Sequence, residues 1–400
     1  MSTGGTEGKL KGAGWLMRPE TQRLMALLDG AQGRTRAVGG IVRDTLLGLP
    51  HDESDVDLAT ELLPQEVVER AERAGVAVYP TGIPHGTVTL KLDALAAEVT
   101  TLREDVETDG RHAVVRFGTN WTNDAARRDF TLNALYAGMD GTLFDPLGGL
   151  EDCLAGRVRF IGEPAQRIEE DRLRVYRFFR FSASHGNERL DPDGYAACKA
   201  AAGTLDRLAA ERVGSEMRRM LGLPRIANTL LAMLRAEVLT LSERSVKLLH
   251  THERRARRPN LTARLAILMA EMPARALQDM WRLSNDDINT ASAVLTVARL
   301  LGEFRVNEAA YRHPAALADG VEVAAVLSDW GEAGKDALRE QLERLDVPRF
   351  PLNGDDLLKA GLAPGPGLGA ELERLEGAWI ESGFTLDRDA LLATMRRRSV

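Results

Sequence analysis

From Arg36 to Thr60 the chain reads RAVGGIVRDTLLGLPHDESDVDLAT, and this stretch restricts the fold more than any other. A β-like run ends in Gly39-Gly40, a helix begins near Ile41, and about fifteen residues later a second strand carries Asp55 and Asp57. Strand alternation puts residues i and i+2 on one face, so the two carboxylates project together. Carboxylates that close repel each other and are costly unless a cation sits between them, which a site for one or two Mg²⁺ ions supplies. The glycine pair lets backbone N–H groups approach a polyphosphate with no Cβ in the way, and Arg43 meets the remaining charge. The pattern reads as a phosphate cradle facing a metal site.

The chain has 400 residues, 44% of them hydrophobic, enough for about two to four domains with buried cores. It has no run of about 18 or more apolar residues, and its opening MSTGGTEGKLKGAG lacks an apolar stretch of signal-peptide type, so a cytoplasmic protein is expected. Cys153 and Cys198 belong to neither a CxxC nor a Cys/His cluster and read as small buried residues. A net charge of −7 argues against coating nucleic acid by bulk positive charge. It leaves room for a local basic track, and Arg157 to Arg219 holds 12 Arg and 1 Lys against 10 Asp and Glu.

Roughly the first 155 residues read as mixed α/β and the rest as helical. Strands are expected at Val56–Ala59, Val76–Tyr79, Thr87–Leu92 and Glu98–Leu102, and a helix over Pro64–Ala74 with Gly75 just past its end. In ARRDFTLNALY, Arg127, Arg128 and Asp129 are expected near the start of a helix, with Asn133 on the same face. Paired arginines suit a triphosphate, while Asp and Asn suit ribose hydroxyls.

In RIEEDRLRVYRFFRFSA, Asp171 and Arg174 are three apart and are expected on one helix face. A carboxylate only accepts hydrogen bonds and a guanidinium only donates them. Cytosine and adenine present an exocyclic amine beside a ring-nitrogen acceptor; uracil and guanine present the reverse. An Asp–Arg pair therefore accepts C and A without a template. Arg177 and Arg180 continue the same stripe and suit a nucleotide or an RNA backbone.

Through about the first 220 residues these motifs, in this order, resemble the class II tRNA nucleotidyltransferases and bacterial poly(A) polymerases. The resemblance implies an α/β head of the DNA polymerase β nucleotidyltransferase type, with a mixed, largely antiparallel sheet, followed by an all-α neck, body and tail. It assigns 1–18 to a flexible N-terminal tail, 19–155 to the head, 156–222 to a nucleotide-selecting neck, 223–345 to the body and 346–400 to a tRNA-binding tail. It makes Glu98 a third metal carboxylate beside Asp55 and Asp57, gives Gly39, Gly40, Arg43, Arg127, Arg128, Asp129 and Asn133 to the nucleotide, and fills the family's EDxxR motif with Glu170, Asp171 and Arg174. GIPHGTVTL resembles the head's turn and strand, with His85 a minor candidate; Asp145 in DPLGGLEDC and the pair Glu211 and Arg212 are implied to brace helices. HERRARR, His252 to Arg258, is a candidate phosphate contact.

The implied reaction is Mg²⁺-dependent addition of C, C and A to a tRNA 3′ end from CTP and ATP, by in-line attack of the 3′-hydroxyl on the α-phosphate with pyrophosphate leaving. The region after the DxD strand lacks the short basic-aromatic run usual in poly(A) polymerases, which favours CCA addition. Leu102 to Phe117 is similar to the family's mobile loop, but has Thr108 where an aromatic is common and Ala113 where proline is common. Poly(A) synthesis, CC-only or A-only addition, transfer to a small molecule, and a silent RNA-binding protein on the same fold remain open alternatives at this point.

Overall fold

The computed structural model describes residues 8–50, 52–108, 113–256 and 258–396 and divides into two compact units, 1–240 and 241–400. The first is built on a seven-stranded sheet formed by β1 (Thr35–Val38), β2 (Asp55–Thr60), β3 (Ala77–Gly82), β4 (Thr87–Leu92), β5 (Leu95–Thr101), β8 (Tyr136–Ala137) and β9 (Leu143–Phe144). The spatial order is β3-β4-β5-β2-β1-β8-β9. Only β2 and β5 pair in parallel; the other neighbours are antiparallel, so the sheet is mixed and largely antiparallel, as expected.

The alternation in β2 fixes which way its acids face. Val56 and Leu58 are buried, while Asp55 and Asp57 are exposed on the opposite face. The parallel register sets Asp57 beside Glu98 of β5, whose buried neighbours Ala97 and Val99 leave Glu98 on the exposed face too. Helix α1 (Gly40–Leu47) leaves the end of β1 directly, and α2 (Pro64–Arg73) follows β2. Pro64 opens α2, Glu66 accepts from the Leu63 N–H at 2.9 Å, and Gly75 follows with φ +68°, so the helix is bounded by local chemistry.

One expectation changes here. Residues 8–18, assigned to a flexible tail, pack instead: Leu10, Trp15 and Leu16 are buried, and Trp15 Nε1 donates to Thr45 Oγ1 at 2.8 Å. The apolar side chains in that stretch find a partner in α1, which outweighs its Gly-rich composition. The segment similar to the family's mobile loop has strand backbone on both sides, β6 (Arg103–Thr108) and β7 (Ala113–Phe117), paired antiparallel; residues 109–112 lie outside the described residues. At the start of α4 (Gly149–Ala155) the backbone packs closely: a Cβ at Gly149 would lie 2.2 Å from the Thr131 carbonyl oxygen. Asp145 caps this helix, accepting from Gly149 N–H at 2.8 Å and Leu150 N–H at 2.9 Å.

Helices α5 (Pro164–Glu170), α6 (Arg174–Ser184), α7 (Pro192–Ala201) and α8 (Ala210–Leu221) complete the part that faces the sheet's polar edge. Helix α6 buries Phe178 and Phe179, and Phe178 stacks on Phe160 at 5.5 Å, which meets Phe130 edge-on at 5.0 Å. Each such phenylalanine contributes roughly 1.5–3 kcal/mol by burial. That cluster locks the arginine-bearing face of α6 against the head. Cys153 and Cys198 are buried and unpaired, and burial pushes the Cys153 thiol up to about 12.

In the second unit, helices Glu243–Arg255, Leu261–Glu271, Asn285–Gly302 and Leu317–Leu327 pack around Leu249, Leu265, Val294, Val297 and Ala324. A separate cluster gathers Leu357, Leu375, Trp379 and Leu391. Within HERRARR, Arg255 is spent on structure, donating to the carbonyls of Ala325 at 3.1 Å and Trp330 at 2.9 Å, and residue 257 lies outside the described residues. Among the described residues no helix is long and apolar enough to cross a membrane.

Candidate active site

A cleft of about 500 Å³ opens where β1 gives way to α1, and α6 forms its far wall. It is lined by Gly39, Gly40, Arg43, Asp57, Arg128, Asp129, Asn133, Asp171, Arg174, Arg177 and Arg180, and also by Phe181 and Arg219. Six arginines against three aspartates make its walls anion-seeking, while Asp57 marks one acidic point on the sheet.

Gly39 has φ +76° and ψ −127°, a conformation that side chains disfavour, and a Cβ there would lie 3.8 Å from Arg128 Nη1. The glycine bends the chain so that the first turn of α1 faces the cleft with bare backbone.

The acids meet the sequence expectation in part. The cleft walls around Asp57 strip water from its carboxyl, which still reaches solvent, and push it up to about 6, helped by the nearby charges of Glu98 and Asp55 and opposed by Arg128. The three acids are thus close enough to repel one another, and hard carboxylate oxygens are the donors that a divalent cation of the magnesium type takes. No group of three or more His, Cys, Asp or Glu among the described residues is drawn into a closed metal cage. Asp55 and Glu98 lie on the sheet beside the cleft rather than in its lining.

The RRD segment is placed differently from the expectation. Helix α3 (Trp121–Ala126) ends before Arg127 instead of starting there, and a 3₁₀ turn, Thr131–Asn133, follows. Asn120 caps that helix at the other end, accepting from Thr122 and Asn123 N–H, which fixes its start six residues earlier than the arginines would suggest. Arg127 consequently turns away from the cleft and donates to Asp124 Oδ1 at 2.7 Å. Arg128 stays in the lining, bound to Asp124 Oδ2 at 3.2 Å and to the Tyr136 hydroxyl at 3.2 Å. Asp129 and Asn133 do come together: Asn133 Nδ2 donates to Asp129 Oδ1 at 2.9 Å, and Arg43 Nη1 donates to Asn133 Oδ1.

Asp171 is not on a helix. It is the extended residue between α5 and α6, with φ −148° and ψ 104°, and Arg174 opens α6. The two side chains face different partners. Asp171 Oδ2 accepts from Arg212 at 2.9 Å, and Arg174 donates to Glu170 Oε2 at 2.7 Å and to the Arg167 carbonyl at 2.7 Å. Arg177 donates to Asp129 Oδ2, and Arg180 to Glu216 Oε2. Arg180 is held below the ordinary arginine value by burial and by its neighbours Arg177 and Arg219, against the pull of Glu216. His85 lies outside the cleft lining.

Phe181 and Arg219 line the cleft without having been marked by the sequence motifs, while Arg212, expected only to brace helices, and Glu216 lie behind the lining and hold Asp171 and Arg180. Phe181 carries a signal in retrospect: it directly follows the arginine series 174, 177 and 180 on α6, and the guanidinium of Arg180 lies 4.3 Å from its ring. Arg212 and Glu216 act through partners about forty residues away, for which no local pattern exists.

Residues 35–159 match the poly A polymerase head domain. CCA tRNA nucleotidyltransferase 1, mitochondrial, of Danio rerio is 33% identical over 387 residues, covering 93% of this chain and 89% of the relative. The CCA-adding enzyme of Limosilactobacillus fermentum is 33% identical over 385 residues, covering 92% of this chain and 94% of that one. Among solved structures, the Bacillus stearothermophilus CCA-adding enzyme in complex with CTP superposes with a TM-score of 0.78 at 27% identity, covering 96% of this chain and 98% of the other. With sequence likeness running nearly the full length of both relatives and a fold shared over the same span, this chain belongs to the CCA tRNA nucleotidyltransferase family, the CCA-adding enzymes.

Proposed function

We propose that this chain is a cytoplasmic enzyme that adds C, C and A to the 3′ end of tRNA from CTP and ATP, releasing pyrophosphate, with no nucleic-acid template. The observation that carries the reading is the meeting of Asp57, beside Asp55 and Glu98, with an arginine-walled cleft entered at Gly39-Gly40. The known relatives named above carry the same activity in their names.

In this reading Gly40 and the backbone at the start of α1 receive the triphosphate, and Arg43, Arg128, Arg177 and Arg180 neutralise it. Asp129 and Asn133 hold Arg177 and Arg43 and flank the ribose. Asp171 accepts from the exocyclic amine of cytosine or adenine while Arg174 donates to the ring nitrogen. Asp55, Asp57 and Glu98 would hold Mg²⁺. The chemistry a magnesium ion supplies there is a lowered pKa for the attacking 3′-hydroxyl and charge neutralisation on the leaving pyrophosphate. Arg127, turned to Asp124, acts as a support for Arg128 rather than a direct contact. Residues 19–155 are assigned to chemistry, 156–222 to base selection, and 223–345 and 346–400 to holding the tRNA.

The test is incubation with tRNA ending before CCA, with CTP and ATP separately and together. CTP alone extends the tRNA by two C residues, ATP alone leaves that end unextended, and both together complete CCA. A tract of A from ATP alone, or arrest at CC with both present, would refute the assignment in favour of poly(A) synthesis or CC addition.

A further inference from the structure

The residue that orients the base-reading aspartate lies 41 positions downstream in a different helix. Arg212, in the first turn of α8, donates from Nη2 to Asp171 Oδ2 at 2.9 Å, and the Leu173 N–H donates to Asp171 Oδ1 at 3.1 Å. Each carboxylate oxygen is thereby tied from one side, while Asp171 still lines the cleft. Arg174 is fixed independently, by Glu170 and by the carbonyls of Arg167 and Arg127. We infer that Arg212 is a positioning residue that sets nucleotide selectivity by fixing where the Asp171 carboxylate sits; the inference rests on the reading that Asp171 and Arg174 recognise the base.

The physical reason is geometric. Cytosine carries a donor at its exocyclic 4-position and an acceptor at N3, and uracil carries an acceptor at the 4-position and a donor at N3. A carboxylate displaced by one ring position therefore meets the N3–H of uracil as readily as the amine of cytosine. Selection depends less on having an acceptor than on holding it in register. Asp171 is an extended residue between two helices, so no helical backbone of its own supplies that register. A planar guanidinium anchored on α8 supplies it. Both partners stay partly in water, 32% for the Arg212 side chain and 27% for Asp171, so the pair adds little to stability and its loss leaves the fold intact.

The experiment measures kcat and KM for CTP, UTP, ATP and GTP, each alone, on tRNA acceptors lacking the residue to be added, for the wild type, R212A, R212K and D171A. R212A is expected to raise the UTP-to-CTP ratio of kcat/KM by about tenfold or more, the factor a single hydrogen bond of ordinary strength commands. Its kcat for CTP stays within a few-fold of wild type, and R212K, which keeps the charge without the planar fork, falls between. A merely structural role would lower all four nucleotides together and leave the ratio unmoved. If D171A loses discrimination while R212A and R212K keep it, the role of Arg212 is wrong and base reading by Asp171 stands. If D171A keeps discrimination, the reading of Asp171 fails and the inference falls with it. Should R212A lose its melting transition, the ratio in R212K decides alone.

Discussion

Arg177 and Asp129 join the two walls of the cleft: Arg177 Nε, on helix α6, donates to Asp129 Oδ2, beside the last strands of the sheet, at 2.8 Å. Asp129 also accepts from the Phe130 N–H at 2.8 Å and from Asn133, which in turn binds Arg43. One buried carboxylate thus orders two arginines of the cleft wall.

Asp129→Ala is therefore expected to destabilise the protein by roughly 3 kcal/mol, the low end for breaking a buried pair, because Arg177 keeps 29% of its side chain exposed. Urea unfolding measures the loss. A double-mutant cycle with Arg177→Ala should return a coupling of about 1 kcal/mol or more, and independent effects would show that the two walls are not joined here.

Asp124 is a second buried anchor, 1% exposed, shared by Arg127, Arg128 and Tyr136. Burial pushes its carboxyl up, but Arg128 and Arg127 outweigh burial and hold it below 3.8. A depressed folded value contributes stability that is present above about pH 4 and lost as the pH falls through it. Asp124→Asn should accordingly melt lower than wild type at pH 7, with the gap closing on acidification below pH 4. A gap independent of pH would mean that the charge is not what the network uses.

The parts of this molecule that were legible in the sequence were those written in short-range pattern. The DxD alternation put Asp55 and Asp57 on one face because a strand has period two, and the glycine pair marked the strand-to-helix turn because few other residues adopt φ +76°. Helix boundaries near RRD and at Asp171 were misread for a shared reason. Spacing alone does not show where a helix stops: Arg127 is the last-turn cap of a helix that Asn120 starts six residues earlier, and Asp171, a poor helix former, is the extended cap that ends α5. Glu216 was hidden because its partner Arg180 lies 36 residues away, and Arg212 was legible as a helix brace but not as a partner of Asp171, 41 residues away. The packing of residues 8–18 was hidden the same way, since the groove that takes Trp15 belongs to α1.

Gly39→Ala tests the cradle. The substitution forces a side chain into a conformation that costs roughly 1–3 kcal/mol and aims a methyl group toward Arg128. A lower melting temperature together with a raised KM for CTP is expected. An unchanged KM with lowered stability would place the triphosphate elsewhere.

Asp57 gives the opposite pH signature to Asp124. Its folded value is raised from 3.8 to about 6, so the stability tied to its protonated form is present at low pH and lost as the pH rises through about 6. Without divalent cations, Asp57→Asn should therefore melt higher than wild type at pH 8, with no advantage at pH 4, and millimolar Mg²⁺ should erase the difference at pH 8 by relieving the repulsion in wild type. Equal melting temperatures at pH 8 would show that Asp57 feels no strain from Glu98 and Asp55.

The most direct measurement is single-turnover incorporation of CTP into tRNA lacking its CCA end by Asp55→Ala, at saturating nucleotide and Mg²⁺. The account predicts a rate at or below about one hundredth of wild type, the loss typical when transition-state charge loses its stabilisation, with the melting temperature little changed. A rate well above that fraction would contradict the assignment of the β2 carboxylates to metal-assisted nucleotidyl transfer.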